Sequence, residues 1–138
     1  MNLSYNNKTK LRVRYGETDQ MGYCYYGNYA QYFEVGRVEA MRSVGMSYRE
    51  MEAKGVMLPV SEFTVKYFSP AKYDDELIIT TFISSVKGAR LLFDYEIHNE
   101  NGDLVVKAHT TLVFVDMKST RPIKAPEDFI KLLENYAI

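Results

Sequence analysis

At 138 residues, 46% of them hydrophobic and 25% charged, the chain has the makeup of one globular domain (residues 1–138) long enough to bury a core without disulfides or metals. A formal net charge of -1 gives no basic field to attract nucleic acid, and apolar residues spread along the whole length leave no disordered tract or linker. The one cysteine, Cys24, excludes an intrachain disulfide, and no window approaches the roughly 18 consecutive apolar residues of a membrane span.

The stretch 1–10 is polar and has no apolar leader core, which together with the lone thiol leads us to expect a cytoplasmic protein. Leu11-Arg12-Val13-Arg14-Tyr15 alternates apolar and polar residues as a strand does. Gly16 to Gly27 is a loop with three glycines and an acidic centre. From Asn28 to Val44 the period becomes 3.6. Tyr29, Tyr32, Phe33, Gly36, Ala40 and Val44 fall on one face, and Gln31, Glu34, Glu39 and Arg42 on the opposite arc. Asn28 is placed to cap this helix and Gly45 to stop it. Gly36 sits mid-face, where the missing side chain lets a helix approach a sheet closely.

Ser47 to Lys54 reads as a short second helix opened by the capping box Ser47-Tyr48-Arg49-Glu50 and stopped at Gly55. After Pro59, Phe63, Val65 and Tyr67 alternate with Glu62, Thr64 and Lys66 until Ser69-Pro70 breaks the strand. Leu77–Val86 is a strand apolar on both faces, Lys87-Gly88-Ala89 a hairpin loop, and Leu91, Phe93, Tyr95 and Ile97 one face of the next strand. Asn101-Gly102 signals a hairpin turn before a long strand, Leu104–Asp116. Pro126–Tyr136 is a final helix with Phe129, Ile130 and Leu133 on its apolar side. The order predicts an α+β fold: strand, long helix, then a four-stranded antiparallel meander. Two of its central strands are apolar on both faces and need a second covering layer, such as another subunit.

The sequence has no Gly-x-Ser-x-Gly elbow and no phosphate loop. His98 and His109 sit in predicted strands without ligand spacing, so no metal site is expected. Cys24 lies between large apolar and aromatic neighbours, the setting of a buried structural thiol, although a Cys24 nucleophile with a histidine base stays open. The acidic loop is the remaining candidate. Asp19 stands a few residues before a glycine-bearing helix start, whose free N–H groups stabilise an oxyanion while a carboxylate activates water or attacks a carbonyl. An aspartate in a loop is also a common turn former or cap, and pattern alone leaves these roles open.

The run Arg14-Tyr15-x-Glu17-x-Asp19-x-x-Gly22, then Tyr26-x-Asn28-Tyr29-x-x-Tyr32-Phe33-Glu34-x-x-Arg37-x-Glu39, resembles the signature of the 4-hydroxybenzoyl-CoA thioesterase-like hotdog family. Pro59-Val60, Tyr67-Phe68-Ser69-Pro70-Ala71-x-x-Asp74-Asp75, Phe114-Val115-Asp116 and Arg121-Pro122-Ile123 extend the likeness over residues 10–136. The resemblance implies an antiparallel sheet wrapped around one long central helix, and hydrolysis of an acyl-CoA or an acyl-carrier-protein thioester. Asp19 matches the catalytic aspartate, as nucleophile or general base, and the Tyr26 backbone amide matches the group that polarises the thioester carbonyl. Gly22 and Gly27 would permit the tight path into the helix, with Asn28 and Tyr29 beside the substrate. Many family members carry a histidine where this chain has Tyr26, so only the backbone role carries over.

The family's active sites lie between subunits of a dimer, often within a tetramer. Val60, Ser61 and Glu62 of a partner copy would therefore line the pocket, and Lys87, Arg90, Lys118 and Arg121 are candidates for the coenzyme A phosphates. Coenzyme A enters as part of the substrate; no separate cofactor is expected. Tyr29, Tyr32, Phe63 and Tyr67 are candidates to shape the acyl pocket. Glu34 could serve the site or face solvent, and Arg37 is expected to form a structural ion pair, with Glu17 as one partner. Two rivals remain: a hydratase or dehydratase, which would need a histidine absent between Lys10 and Val44, and a non-enzymatic acyl-binding module.

Overall fold

The computed structural model describes residues 1–138. Its first strand, β1, is Asn2–Arg12, not the expected Leu11–Tyr15. This segment pairs with β4 (Glu76–Lys87) from Asn2↔Ser85 to Arg12↔Glu76, and its other edge is met only at its start, where Ser4 N–H reaches Tyr136 O at 2.8 Å and Asn2 O accepts the Ile138 N–H at 3.0 Å. Leu3, Tyr5 and Leu11 turn to the core, but Asn7 and Thr9 interrupt that apolar side. The long helix α1, Tyr29–Val44, follows the loop and ends as expected at Gly45, which adopts a left-handed φ of 118°. Its buried face holds every residue assigned to it, together with Arg37 and Met41. Gly36 is needed there: a Cβ at this position would stand 2.4 Å from Thr81 Oγ1.

The short helix α2, Tyr48–Ala53, is capped by Ser47, whose hydroxyl accepts the Glu50 N–H at 3.1 Å. Beyond it, β2 (Val56–Met57) pairs with β7 (Val115–Asp116) in a two-stranded sheet that the sequence did not announce. The main sheet contains β3 (Val60–Tyr67), β4, β5 (Arg90–His98) and β6 (Leu104–Val113), in the order β1-β4-β5-β6-β3. The expected meander is therefore corrected. Strands β4, β5 and β6 follow one another, but β3 leaves β4 and occupies the far edge beside β6, with Phe63 opposite Thr110. The long fourth strand is broken at Phe114, whose N–H turns to Ala89 O while its carbonyl accepts from Ile123. Helix α3, Glu127–Glu134, closes the chain directly after Pro126 and buries Phe129 and Leu133.

The inner face of the sheet curves around α1 and fills with Leu77, Ile79, Ile83, Leu91, Phe93, Tyr95 and Ile97. This is the wrapped hotdog arrangement that the resemblance implies. Of the strands expected to be apolar on both faces, β4 alone approaches it. On the outer side, β5 and β6 present Asp94 and Glu96 against His109 and Lys107. No helix is long and apolar enough to cross a membrane.

Candidate active site

The loop between β1 and α1 is folded by its own polar groups. A single 3-10 turn, Tyr15–Glu17, is closed by Glu17 Oε1 accepting the Arg14 N–H at 2.8 Å. Glu17 itself is only 8% exposed. Its carboxylate also accepts the Tyr32 hydroxyl at 2.9 Å, and its carbonyl accepts both Tyr25 N–H and Asn28 Nδ2 at 2.8 Å. One residue thus ties the loop to the first turns of the helix. Asn28 sits at the cap position but does not cap, because its side chain is committed to Glu17 and a second 3-10 turn, Tyr26–Asn28, precedes α1.

Between these ties the chain reverses at Asp19–Gly22, where Gly22 N–H reaches Asp19 O at 3.0 Å and Gly22 takes the φ of 78° that favours glycine. Asp19 Oδ1 accepts the N–H groups of Met21 (2.9 Å) and Tyr23 (3.2 Å). The aspartate is therefore a turn former, as pattern alone allowed. Its Oδ2, however, takes no hydrogen bond from the chain. That oxygen belongs to a side chain lining a hollow of about 340 Å³. Tyr26 and Tyr29, at the helix start, and Tyr67–Pro70, at the end of β3, complete the wall. Tyr26 opens the 3-10 turn that leads into α1, and the first N–H groups of such a turn lack a partner within it.

The structure brings together Asp19, Tyr26 and Tyr29, with Gly22, Gly27 and Asn28 in the adjoining backbone. It adds Met21, Tyr23, Cys24 and the segment Phe68–Pro70, which sequence reasoning did not assign to the site. Cys24 N–H bonds to Ala71 O at 2.7 Å, and this nonlocal contact swings Phe68–Pro70 against the loop. Of the four aromatic residues expected to shape a pocket, Tyr29 and Tyr67 do so, their rings 5.7 Å apart. Tyr32 is buried against Glu17, and the Phe63 ring packs on Phe33. Burial pushes the Cys24 thiol up. Its sulfur lies 3.5 Å from the Tyr32 hydroxyl, while His109 bonds to Asp94 across β5 and β6. No histidine is placed to activate the thiol.

The remaining candidates lie elsewhere. Val60, Ser61 and Glu62 are at the opposite end of β3 from Tyr67, and all three are exposed. Lys87 and Arg90 flank the β4–β5 hairpin, at the far end of β4 from the loop. Lys118 and Arg121 follow β7 near the same end, where Ala125 N–H bonds to Gly88 O. Glu34 is exposed and enters no ion pair. Arg37 does not pair with Glu17, which is taken by Arg14; its guanidinium lies between the Tyr48 and Tyr95 hydroxyls.

Residues 13–133 match the Thioesterase-like superfamily. Among curated proteins, the chain is 37% identical over 123 residues to the putative acyl-CoA thioesterase YneP of Bacillus subtilis, covering 89% of each. It is 33% identical over 120 residues to the acyl-CoA thioester hydrolase YbgC of Escherichia coli, covering 87% of this chain and 90% of that one. A chloroplastic acyl-acyl carrier protein thioesterase of Arabidopsis thaliana is 33% identical over 125 residues, 90% of this chain and 65% of that one. Among solved structures, a DHNA-CoA thioesterase from Staphylococcus aureus superposes with a TM-score of 0.90 at 32% identity, over 94% of this chain and 89% of that one.

Proposed function

The chain belongs to the Thioesterase-like superfamily, and from that membership and its site we infer an acyl-CoA thioester hydrolase in which Asp19 drives the chemistry. The single observation that carries the role of Asp19 is its divided carboxylate. Oδ1 is fixed by two backbone N–H groups, and Oδ2 is left unbonded on a side chain that lines the hollow beside the helix start. A carboxylate held by one oxygen presents the other without having to be reoriented.

With the thioester carbonyl oxygen accepting the Tyr26 N–H, negative charge that develops on that oxygen meets the positive end of α1. Asp19 Oδ2 then acts in one of two ways. As general base it takes a proton from water, whose oxygen adds to the carbonyl carbon; the C–S bond breaks and the thiolate leaves with a proton. As nucleophile it attacks the carbonyl carbon and the C–S bond breaks, leaving an acyl-aspartyl anhydride and a thiolate; water then opens the anhydride to the free acid and the Asp19 carboxylate, and the proton released goes to the thiolate. Both routes consume one water and need no metal or redox group. The aromatic wall of Tyr29, Tyr67 and Phe68 suits the acyl chain.

The working unit is a dimer, alone or within a tetramer. Strand β3 is an edge with free backbone groups, and it exposes Val60, Phe63 and Tyr67, the last at 47%. Antiparallel pairing of two β3 edges sets the partner's 60–62 segment beside Tyr67 and turns the partner's Lys87–Arg90 end toward the same hollow, where its cations meet the coenzyme A phosphates. A carrier-protein thioester is the second reading, favoured by the Arabidopsis relative. The compartment is the reducing cytoplasm.

The test is thiol release from a panel of acyl-CoAs by wild type and Asp19→Asn. We expect the variant to lose at least about 10²-fold in rate while still binding ligand. Unchanged turnover would remove Asp19 from the chemistry. A protein that binds acyl-CoA but never releases thiol would be a binding module, and release from acyl-carrier protein alone would favour the second reading.

A further inference from the structure

Arg37 carries a permanent charge into the interior with no carboxylate bonded to it. The residue is 8% exposed, and its guanidinium meets two phenols and no carboxylate. Nε donates to Tyr48 Oη at 3.3 Å and Nη1 to Tyr95 Oη at 3.2 Å, with Tyr95 linked on to Thr110 Oγ1 at 2.6 Å. A guanidinium has five N–H donors, and a buried charge without a counter-charge is among the costliest features a core can hold. Within the chain no carboxylate bonds to the guanidinium, and the charge of Glu34 reaches only the Tyr48 phenol beside it.

The place of a counter-ion follows from the flank of α1 on which Arg37 sits. On that flank Phe33 packs on Phe63 of the edge strand β3, with ring centroids 6.0 Å apart, so this side of the helix overhangs the unpaired edge. Glu34 precedes Arg37 by one turn, is exposed, and enters no ion pair. We propose that the counter-ion of Arg37 is Glu34 of a second copy, so that two symmetry-equivalent Glu34–Arg37 pairs cross the dimer axis. This rests on the paired-copy reading given above. Antiparallel joining of two β3 edges lays the α1 helices side by side in opposite directions. Residues three apart differ by about 4.5 Å along a helix, so a two-fold axis between them sets each residue 34 against residue 37 of the other chain. The pairs tie together the helices whose first turns form the two hollows.

Two charge-reversed chains test this directly. Glu34→Lys and Arg37→Glu each put like charges at both contacts, so each is expected to sediment as a monomer at concentrations where wild type is a dimer. Mixed, they restore opposite charges at both contacts and form a heterodimer. Pairing within one helix predicts no rescue on mixing, because each variant keeps its like charges, and that result would overturn the proposal. If Arg37→Glu does not fold, Glu34→Gln and Arg37→Gln are measured singly and together. Each single change is then expected to raise the dimer dissociation constant by about 10²-fold or more, and the double change by far less than the product. A Glu34→Gln dimer as tight as wild type, or multiplicative effects, would also overturn it. A wild type that stays monomeric at every concentration would instead remove the paired-copy reading itself.

Discussion

Replacing Glu17 by alanine is expected to destabilise the fold by about 3 kcal/mol, a figure built from its hydrogen bonds. Oε1 accepts the Arg14 N–H at 2.8 Å and the Tyr32 hydroxyl at 2.9 Å, and Oε2 accepts Arg14 Nη2 at 2.9 Å. Alanine strands the Tyr32 hydroxyl in the core with the Cys24 thiol as its remaining neighbour, at about 1–3 kcal/mol. The Arg14 amide loses its acceptor, at about 1 kcal/mol more. The Arg14 guanidinium is too solvated to add much. Glutamine keeps an oxygen where Oε1 stood, so Glu17→Gln is expected to cost less than about 1 kcal/mol.

Urea unfolding midpoints at unchanged slope measure both variants. The acid limb gives a separate check. Burial raises the Glu17 carboxyl, but hydrogen bonds from the Arg14 side chain and backbone and from Tyr32 outweigh it and hold the group below its usual range. A depressed carboxyl contributes stability that is present above its unfolded value and lost as pH falls through its folded value. The gap between wild type and Glu17→Ala should therefore be full at neutral pH and narrow below the ordinary carboxylate range. Equal losses for alanine and glutamine would refute the reasoning. So would a cycle with Tyr32→Phe that is additive within about 0.5 kcal/mol.

Gly36→Ala builds a Cβ 2.4 Å from Thr81 Oγ1 and 2.9 Å from Ile79 Cγ2, so α1 must lift off the sheet. Overpacking of about 1–3 kcal/mol outweighs the helix gain of about 0.5–1, and a lower melting temperature is expected. Gly16→Ala, where the new Cβ meets nothing within 4 Å, is the matched control. Cys24→Ala is expected to keep acyl-CoA turnover within about twofold, because burial raises the thiol and disfavours the reactive thiolate. A loss matching that of Asp19→Asn would make Cys24 the nucleophile.

The elements legible in the sequence are those whose signals are local. The 3.6 period from Tyr29 to Val44, the Ser47 cap and the Asn101-Gly102 turn each depend on a few neighbouring residues, and each is found where expected. The failures involve distant partners. Strand β1 alternates in burial, but its inward side, Leu3, Tyr5, Asn7, Thr9 and Leu11, is interrupted by polar residues, so the run carries too weak an apolar signal to read as a strand. The placement of β3 beside β6 is fixed by pairs such as Phe63 with Thr110, 47 residues apart, and nothing within Val60–Tyr67 encodes that choice. The break at Phe114 depends on Ala89 and Ile123 in the same way.

The site divides along the same line. Asp19 and Tyr26 are close in sequence, and the resemblance names both of these lining residues, whereas Phe68–Pro70 are brought to the hollow beside the Cys24–Ala71 contact. The cationic candidates lie far from the site within one chain. Lys87 stands 11 residues along β4 from Glu76, roughly 36 Å at the rise of a strand, and Glu76 pairs with Arg12 at the mouth of the loop. A thioester with its acyl carbon at Asp19 would have to run along most of that strand to reach Lys87 or Arg90 of the same subunit. If these cations bind coenzyme A in trans, removing them by Lys87→Ala with Arg90→Ala would raise KM only in the dimer. The edge strand, the unpaired Arg37 and the distant cations thus all call for the same second copy.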